Sequence, residues 1–437
     1  MAKMAEASVD AIVTDPPYGL ASGPTTTLED ATSGRGFMGK EWDRGVPGVT
    51  FWAEALRVAK PGAYLLAFGG TRTFHRLTVA IEDAGWEIRD CMMWLYGSGF
   101  PKSHDVSKAI DRAAGATREV IGAHSSPARS IYSQGLHPMP SQVDLTSPAT
   151  PEAAKWEGWG TALKPAWEPI LMARKPLEGT VAANLLKHGT GAINVDGCRI
   201  GAESTVRNCN GIGTSSSFNM AATKELRING STQGRWPANL MHDGSPEVLA
   251  GFPQVTSGTG NKNVQNQPRQ REFLHGLRPG VGIGMGGDQG SASRFFYCAK
   301  TSSADREEGC EELATSTGAD ATSRQEGTAG LDNPRAGASR TREVVRNHHP
   351  TVKPTELMRH LVRLVTPPGG LVLDPFMGSG STGKAAILEG ARFVGCDLDP
   401  AYLEIAAARI AYALRLEADE AAAAYESTRQ LSLFGDP

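Results

Sequence analysis

Asp15-Pro16-Pro17-Tyr18 places an acid, two rigid residues and an aromatic ring directly after the apolar run at 9–13. Proline fixes φ and interrupts a helix or strand, so the acid and the ring are held on an irregular tip. A carboxylate there can accept a hydrogen bond from an exocyclic amino group. The carbonyl of Pro16 can accept the second N–H, and Tyr18 can stack on the ring that carries the amine. Two acceptors turn the nitrogen lone pair toward an electrophile, and the prolines set that geometry before a substrate arrives. The bland alternative is a rigid loop with a surface tyrosine.

A second constellation lies at the far end of the chain. Residues 378–383, Gly-Ser-Gly-Ser-Thr-Gly, follow an apolar run, open a helix-like stretch and precede Asp397 at the end of the next apolar run. In that context the glycines let backbone approach a nucleotide-like ligand, and the acid can take both ribose hydroxyls. The same string nearly makes a phosphate loop, ending in Gly383-Lys384, but Ala385 stands where Ser or Thr would ligate magnesium. A dinucleotide-dependent dehydrogenase is the stronger rival, yet it gives Asp15–Tyr18 no task. A tight turn in an ordinary α/β protein is the plain alternative.

The elements that must position these residues alternate between strand and helix at both ends of the chain. The runs 9–14, 63–68, 87–97, 168–176 and 370–374 read as strands. Those at 51–60, 73–85, 355–365 and 381–389 read as helices. This predicts an α/β fold with a doubly wound, mostly parallel sheet. Residues 115–165 and 200–348 are instead rich in Gly, Ser, Asn, Thr and Pro, with strand-like islands at 234–243 and 293–300 and a flexible stretch at 315–340. Four segments are expected: 1–177 with the first constellation, 178–345 as an irregular insertion, 346–415 with the second, and a tail at 416–437.

Composition limits what such a chain can be. With 437 residues, it exceeds one ordinary core. Hydrophobic residues at 40% and charged residues at 21% suit a globular protein rather than a disordered one. No apolar run is long enough to span a bilayer, and the N-terminus lacks a secretory core, so no membrane association and a cytoplasmic location are expected. Cys91, Cys198, Cys209, Cys298, Cys310 and Cys396 are scattered and match no zinc spacing, which suits reduced thiols and no metal. The net charge of −3 does not announce a nucleic-acid partner. A local surface would have to, and between 206 and 302 Lys and Arg outnumber Asp and Glu ten to five.

Taken together, the sequence resembles the S-adenosylmethionine-dependent DNA amino-methyltransferases that make N6-methyladenine or N4-methylcytosine. Asp-Pro-Pro-Tyr at 15–18 matches their catalytic motif, Leu-Asp-Pro-Phe-Met-Gly-Ser-Gly at 373–380 their cofactor motif, and His-Pro-Thr-Val-Lys-Pro at 349–354 the segment that precedes it. Catalytic motif first and cofactor motif last is the permuted order of the β group. Residues 96–111, 158–176 and 234–243 look like segments of phage and prophage members.

The resemblance implies a Rossmann-like methyltransferase fold and S-adenosylmethionine as cofactor. It implies that Asp15, Pro16, Pro17 and Tyr18 hold the target amine. Asp374, Pro375, Phe376, Gly378, Ser379, Gly380 and Thr382 should line the cofactor, with Asp397 on its ribose. Lys353, Pro354 and Thr355 should close over its methionine end. Double-stranded DNA is the expected partner, with the base flipped out of the stack. Recognition is expected in 178–345, whose Arg199, Arg207, Arg227, Arg235, Arg269, Arg271, Arg278 and Arg294 are possible phosphate and guanine contacts. The aromatic run 295–297 suits base stacking or, more often, a core. No nuclease motif is visible, and both a monomer and a dimer fit.

Adenine is favoured because Asp heads the motif more often in adenine enzymes and Ser in cytosine-N4 enzymes, the close rival. RNA and protein-glutamine methylation use related logic, but the long polar middle argues for DNA. Members usually carry a strand and Gly-Asp ahead of the first motif, whereas here Met1 closely precedes it. An inactive DNA- or clamp-binding relative is therefore the further alternative. In the tail, Gln430, Leu431, Leu433 and Phe434 are similar to the short peptide that docks on the bacterial replication sliding clamp, with a strap on its own domain as the other reading.

Overall fold

The computed structural model describes residues 1–20, 27–28, 41–97, 99, 103–126, 141–201, 234–256, 289–299, 302–315 and 346–433. β1 (Val9–Thr14) is fully buried and rich in β-branched residues, as a strand covered on both faces requires. It is followed by α1 (Val49–Val58), β2 (Ala59–Phe68), α2 (Phe74–Asp83) and β3 (Glu87–Leu95). An inserted unit then holds α3 (Val106–Ala113), the hairpin β4 (Val120–Ser126) and β5 (Ser141–Thr146), and α4 (Pro151–Lys155). The chain returns through β6 (Trp167–Arg174) and α5 (Val181–His188). The middle supplies β7 (Leu240–His242), α6 (Pro246–Gly251), β8 (Gln254–Thr256), β9 (Gln289–Ser291), β10 (Tyr297–Cys298) and α7 (Ser303–Glu307). The last part is α8 (Thr355–Val365), β11 (Leu371–Asp374), α9 (Ser381–Leu388), β12 (Arg392–Gly395) and α10 (Pro400–Leu433).

Eight strands form the central sheet in the order β10-β7-β3-β6-β2-β1-β11-β12. Every pairing is parallel except those of β6, which runs antiparallel between β2 and β3. This is the expected doubly wound, mostly parallel sheet. On one face Val13, Leu66 and Phe68 pack with Leu357, Leu361 and Val365 of α8. On the other, Ile12, Leu65 and Ala67 pack with Trp52 of α1 and Leu77 and Ile81 of α2. The carboxyl ends of β1, β2, β3, β7, β10, β11 and β12 consequently share one edge with the amino end of β6.

Three details differ from the sequence reading. The strand placed at 63–68 begins at Ala59, and the Pro61-Gly62 turn is a register shift within it, with Gly62 at φ +81°. Two strands of the polar middle, β7 and β10, join the main sheet because Met241 and Ala299 bury against it. The last helix runs unbroken through Leu433, so the backbone of Gln430, Leu431 and Leu433 is helical; Phe434 lies outside the described residues.

One buried ionic cluster fastens α7 to the three helices of the C-terminal part. Asp305 accepts hydrogen bonds from the Thr355 backbone N–H (2.7 Å), the Thr355 hydroxyl and Lys384 Nζ (2.9 Å). Arg409, fully buried, lies 3.6 Å from Asp305 and donates to the carbonyl of Ser379 (2.9 Å) and the hydroxyl of Ser381 (3.0 Å). Lys384 is also buried and pairs with Glu308 at 2.7 Å. The lysine of the near-phosphate loop thus serves this cluster. Removing one partner of a buried charge cluster costs about 3–5 kcal/mol. Asp305→Ala should lose stability on that order in urea titration, and Asp305→Leu combined with Lys384→Met should lose less. A loss under about 1 kcal/mol in the single variant would show that the cluster does not hold α7 in place.

Candidate active site

The parallel register Ile12↔Leu373 brings the tips of β1 and β11 side by side. The Thr14 hydroxyl donates to Asp374 Oδ1 at 2.6 Å, and the Thr382 hydroxyl donates to Oδ2 at 2.5 Å. The Phe376 N–H adds a third donor at 3.1 Å. Burial pushes the Asp374 carboxyl up to about 6, against the pull of these hydrogen bonds. Asp374 is therefore a bolt between the two halves of the cleft. Pro375 beside it is buried, and Phe376 packs against Phe51 with ring centres 4.7 Å apart.

The glycine turn leaves β11 and enters α9. Gly378 and Gly380 have φ of +51° and +76°. A Cβ on Gly380 would lie 2.8 Å from the Ala406 backbone, and one on Gly378 would lie 2.7 Å from His349 Nε2. Only glycine lets the turn sit so close to both. Asp397 Oδ2 accepts from the Gly378 N–H at 2.7 Å, and Oδ1 accepts from the Asp399 N–H at 2.9 Å. The acid and the turn are one unit, and each oxygen keeps a lone pair for a hydroxyl. Leu398 next to it is 89% exposed, an apolar surface beside the acid. Left-handed glycines, a buried carboxylate at the strand tip and an acid on the turn fit S-adenosylmethionine.

Opposite the turn, Lys353 is 8% exposed and reaches across the cleft. Its Nζ lies 3.1 Å from Asp15 Oδ2, 3.0 Å from Glu168 Oε2 and 3.0 Å from the Tyr18 hydroxyl. It also sits over the rings of Phe68 and Tyr18, 4.7 and 5.3 Å from their centres. Burial would lower the Lys353 pKa, but Asp15 and Glu168 outweigh it and hold it above the ordinary lysine value. Burial raises the Asp15 pKa, and Lys353 opposes that rise. Asp15 Oδ1 is buried with no hydrogen-bond partner among the described residues. Tyr18 donates to Glu168 at 3.2 Å, and burial raises its pKa well above the ordinary phenol value.

The site thus gathers Asp15, Tyr18, Lys353, Asp374, the glycine turn and Asp397 at one sheet edge. Lys353, expected at the methionine end of the cofactor, points its ammonium at Asp15, while its carbonyl accepts from the Ser381 hydroxyl at 2.9 Å. Pro354 caps the start of α8, and Thr355 is occupied by Asp305. Two residues were missed. Glu168 is one, signalled only as an acid near the start of an otherwise apolar strand. His349 is the other, a buried imidazole beside Gly378 whose pKa burial lowers to about 3.

Of the arginines, Arg199 pairs with Asp196 and lies over Trp236, while Arg235 and Arg294 lie over Phe295 at 4.9 and 4.5 Å. Arg207, Arg227, Arg269, Arg271 and Arg278 fall outside the described residues. Tyr297 stacks on His360 at 3.9 Å, the core role of that aromatic run.

Comparison with known proteins places this geometry. A family model described as DNA methylase matches residues 9–408. The chain is similar to the type II methyltransferase M.HindIII of Haemophilus influenzae, 27% identical over 221 residues, which are 44% of this chain and 60% of that protein. It is also similar to the DNA adenine methyltransferase YhdJ of Escherichia coli, 37% identical over 75 residues, which are 17% of this chain and 26% of that one. The matches therefore span less than two thirds of these relatives. Among solved structures, the PvuII DNA methyltransferase (cytosine-N4-specific) is 12% identical with a TM-score of 0.37, covering 93% of this chain and 81% of that one.

The Asp374 bolt has a pH signature. Its folded pKa of about 6 exceeds the unfolded value, which is near 3.9. The folded state therefore holds the proton more tightly. This contribution is complete below about pH 4 and is lost as pH rises through about 6, a change of roughly 2–3 kcal/mol. In urea titrations without cofactor, the stability of the native protein minus that of Asp374→Asn should fall by that order between pH 4 and pH 7. A difference independent of pH would rule out a strained buried carboxylate.

Proposed function

This chain belongs to the DNA methylase family whose model spans residues 9–408, and on that premise we propose that it methylates the exocyclic N6 amine of adenine in double-stranded DNA. The observation that carries the reading is the juxtaposition, across the β1–β11 pair, of Asp15 and Tyr18 with the glycine turn and Asp397. Adenine is supported by the Asp that heads the motif and by likeness to YhdJ, whose name makes it an adenine enzyme.

S-adenosylmethionine, the family's cofactor, supplies a sulfonium methyl group when bound. Asp374, Gly378, Gly380 and Asp397 shape its seat. A base inside a duplex cannot reach this cleft, so the target has to be extruded. Tyr18 then offers its ring face, and Asp15 and the Pro16 carbonyl accept the two amine N–H groups. Oδ2 of Asp15 is held by Lys353, which leaves the unpartnered Oδ1 for the amine. The lone pair is thereby aimed toward the glycine turn. As the new N–C bond forms, the amine sheds a proton, and Asp15, made more basic by burial, is its nearest acceptor. Glu168 shares the Lys353 charge and so keeps Lys353 from capturing Asp15 outright.

Unmethylated DNA incubated with the protein and S-adenosylmethionine, then digested to nucleosides, should contain N6-methyladenine by mass spectrometry, and none with Asp15→Ala. N4-methylcytosine would move the target base and keep the chemistry; no methylated base would overturn the reading. Glu168→Gln leaves Lys353 to Asp15 alone. It should lower kcat on the order of tenfold, about 1.4 kcal/mol of barrier, with cofactor affinity unchanged by calorimetry.

A further inference from the structure

β3 and β6 pair directly up to Leu95↔Trp167, where a short hairpin turn would join them. The chain instead inserts residues 96–166 there. This insert is knitted to itself. Asp111, 1% exposed, accepts from Arg118 (2.8 Å), from the backbone N–H groups of Ala149 and Thr150 (both 3.0 Å) and from the Thr150 hydroxyl (2.8 Å). Arg118 also donates to Ser107 (2.9 Å) and Thr146 (3.0 Å). None of these residues takes part in the site described above.

Between α3 and the β4–β5 hairpin lies a groove of about 570 Å³, lined in part by Lys108, Arg112, Thr117, Arg118, Asp144 and Thr146. Arg118 and Asp111 neutralise each other. Lys108 and Arg112 stand four residues apart on one face of α3, a spacing that costs a helix a few tenths of a kcal/mol through repulsion. Lys108 meets Asp105 only at 3.9 Å with both side chains well exposed, a pair worth little. Among the described residues, Asp144 is the other acid lining the groove. Two solvent-accessible cations beside two threonine hydroxyls make a surface suited to an anion.

The topology says which anion comes near. β6 lies two strands from β1 and β3 lies three, which at about 4.8 Å per strand is roughly 10–15 Å sideways from the Asp15 tip. The insert leaves and re-enters the sheet at the same edge as that tip. One turn of B-DNA is about 34 Å long, so a duplex that delivers a base to Asp15 is long enough to reach the insert. The same unit exposes Trp156 and Trp159, paired edge to face at 5.2 Å, and Leu163, an apolar surface larger than solvent favours.

Resting on the DNA reading, we infer that the α3–hairpin groove is a second DNA contact, separate from 178–345, in which Lys108 and Arg112 bind backbone phosphates flanking the target base. Binding of a fluorescein-labelled duplex of mixed sequence, followed by anisotropy across a salt titration with S-adenosylmethionine present, tests this. In Lys108→Ala/Arg112→Ala the slope of log K against log salt should fall by about 1–2, the loss of one or two phosphate contacts, with affinity at low salt down roughly tenfold. Cofactor affinity by calorimetry should not change. Asp144→Asn, which removes the opposing charge, should tighten binding. Native protein that binds while both variants keep its affinity and slope overturns the groove alone. Native protein that fails to bind duplex overturns the DNA reading with it.

Discussion

One buried hydrogen bond pins the tips of the two strands that bring the ends of this molecule together. Thr14 and Asp374 are 360 positions apart, yet the hydroxyl of one meets the carboxylate of the other at 2.6 Å in a buried setting. A buried carboxylate is tolerated only when donors surround it, and Asp374 finds three: Thr14 at the tip of β1, Thr382 in the first turn of α9, and the Phe376 backbone. Satisfying that one group fixes the Asp15 tip, the glycine turn and the strand register together. The rest of the cleft inherits its geometry from this point.

The second constraint is charge. Lys353 is nearly out of water and has two carboxylates to choose from, with the Phe68 ring 4.7 Å from its ammonium and the Tyr18 hydroxyl 3.0 Å away. Pairing with either acid alone would leave the other buried and uncompensated, which is more costly than sharing. The shared state holds Asp15 without saturating it. His349, neutral and pressed against Gly378, adds no competing charge on the cofactor side. The cleft therefore has one half built around Asp15, Glu168 and Lys353 and another built around the glycine turn and Asp397.

How much of this was legible in the sequence follows from range. Asp15–Tyr18, the glycine turn and Asp397 are local patterns, and each contributes its own geometry wherever it sits. The strand and helix at 371–388 were equally plain, because period and turn chemistry agree there. Glu168 was hidden because its meaning depends on Lys353, 185 positions away, and on the antiparallel course of β6, which no local pattern announces. Lys384 shows the opposite case, a residue whose local pattern suggests a role that Ala385 already argues against. Its place after Gly383 suggests phosphate, but Asp305, from a segment that reads as loop, claims it. The short strands β7 and β10 were visible only as islands, since two or three residues carry no period.

The permuted order also explains how so long a chain surrounds one small cleft. In a parallel sheet the strands end on the same edge, so a connection that leaves a carboxyl end and grows does so beside the site. Here the long connections after β3, β7 and β10 leave from that edge, while the long connection after β6, residues 175–239, leaves from the opposite one. β6 alone runs the other way, and its amino end returns the first of these insertions to that edge, so Glu168 arrives beside Tyr18. Most of the added length thus leaves from the edge that holds the cleft. The buried register of β1 against β11 bears none of it, because Thr14 and Asp374, which form the bolt, are the last residues of those strands.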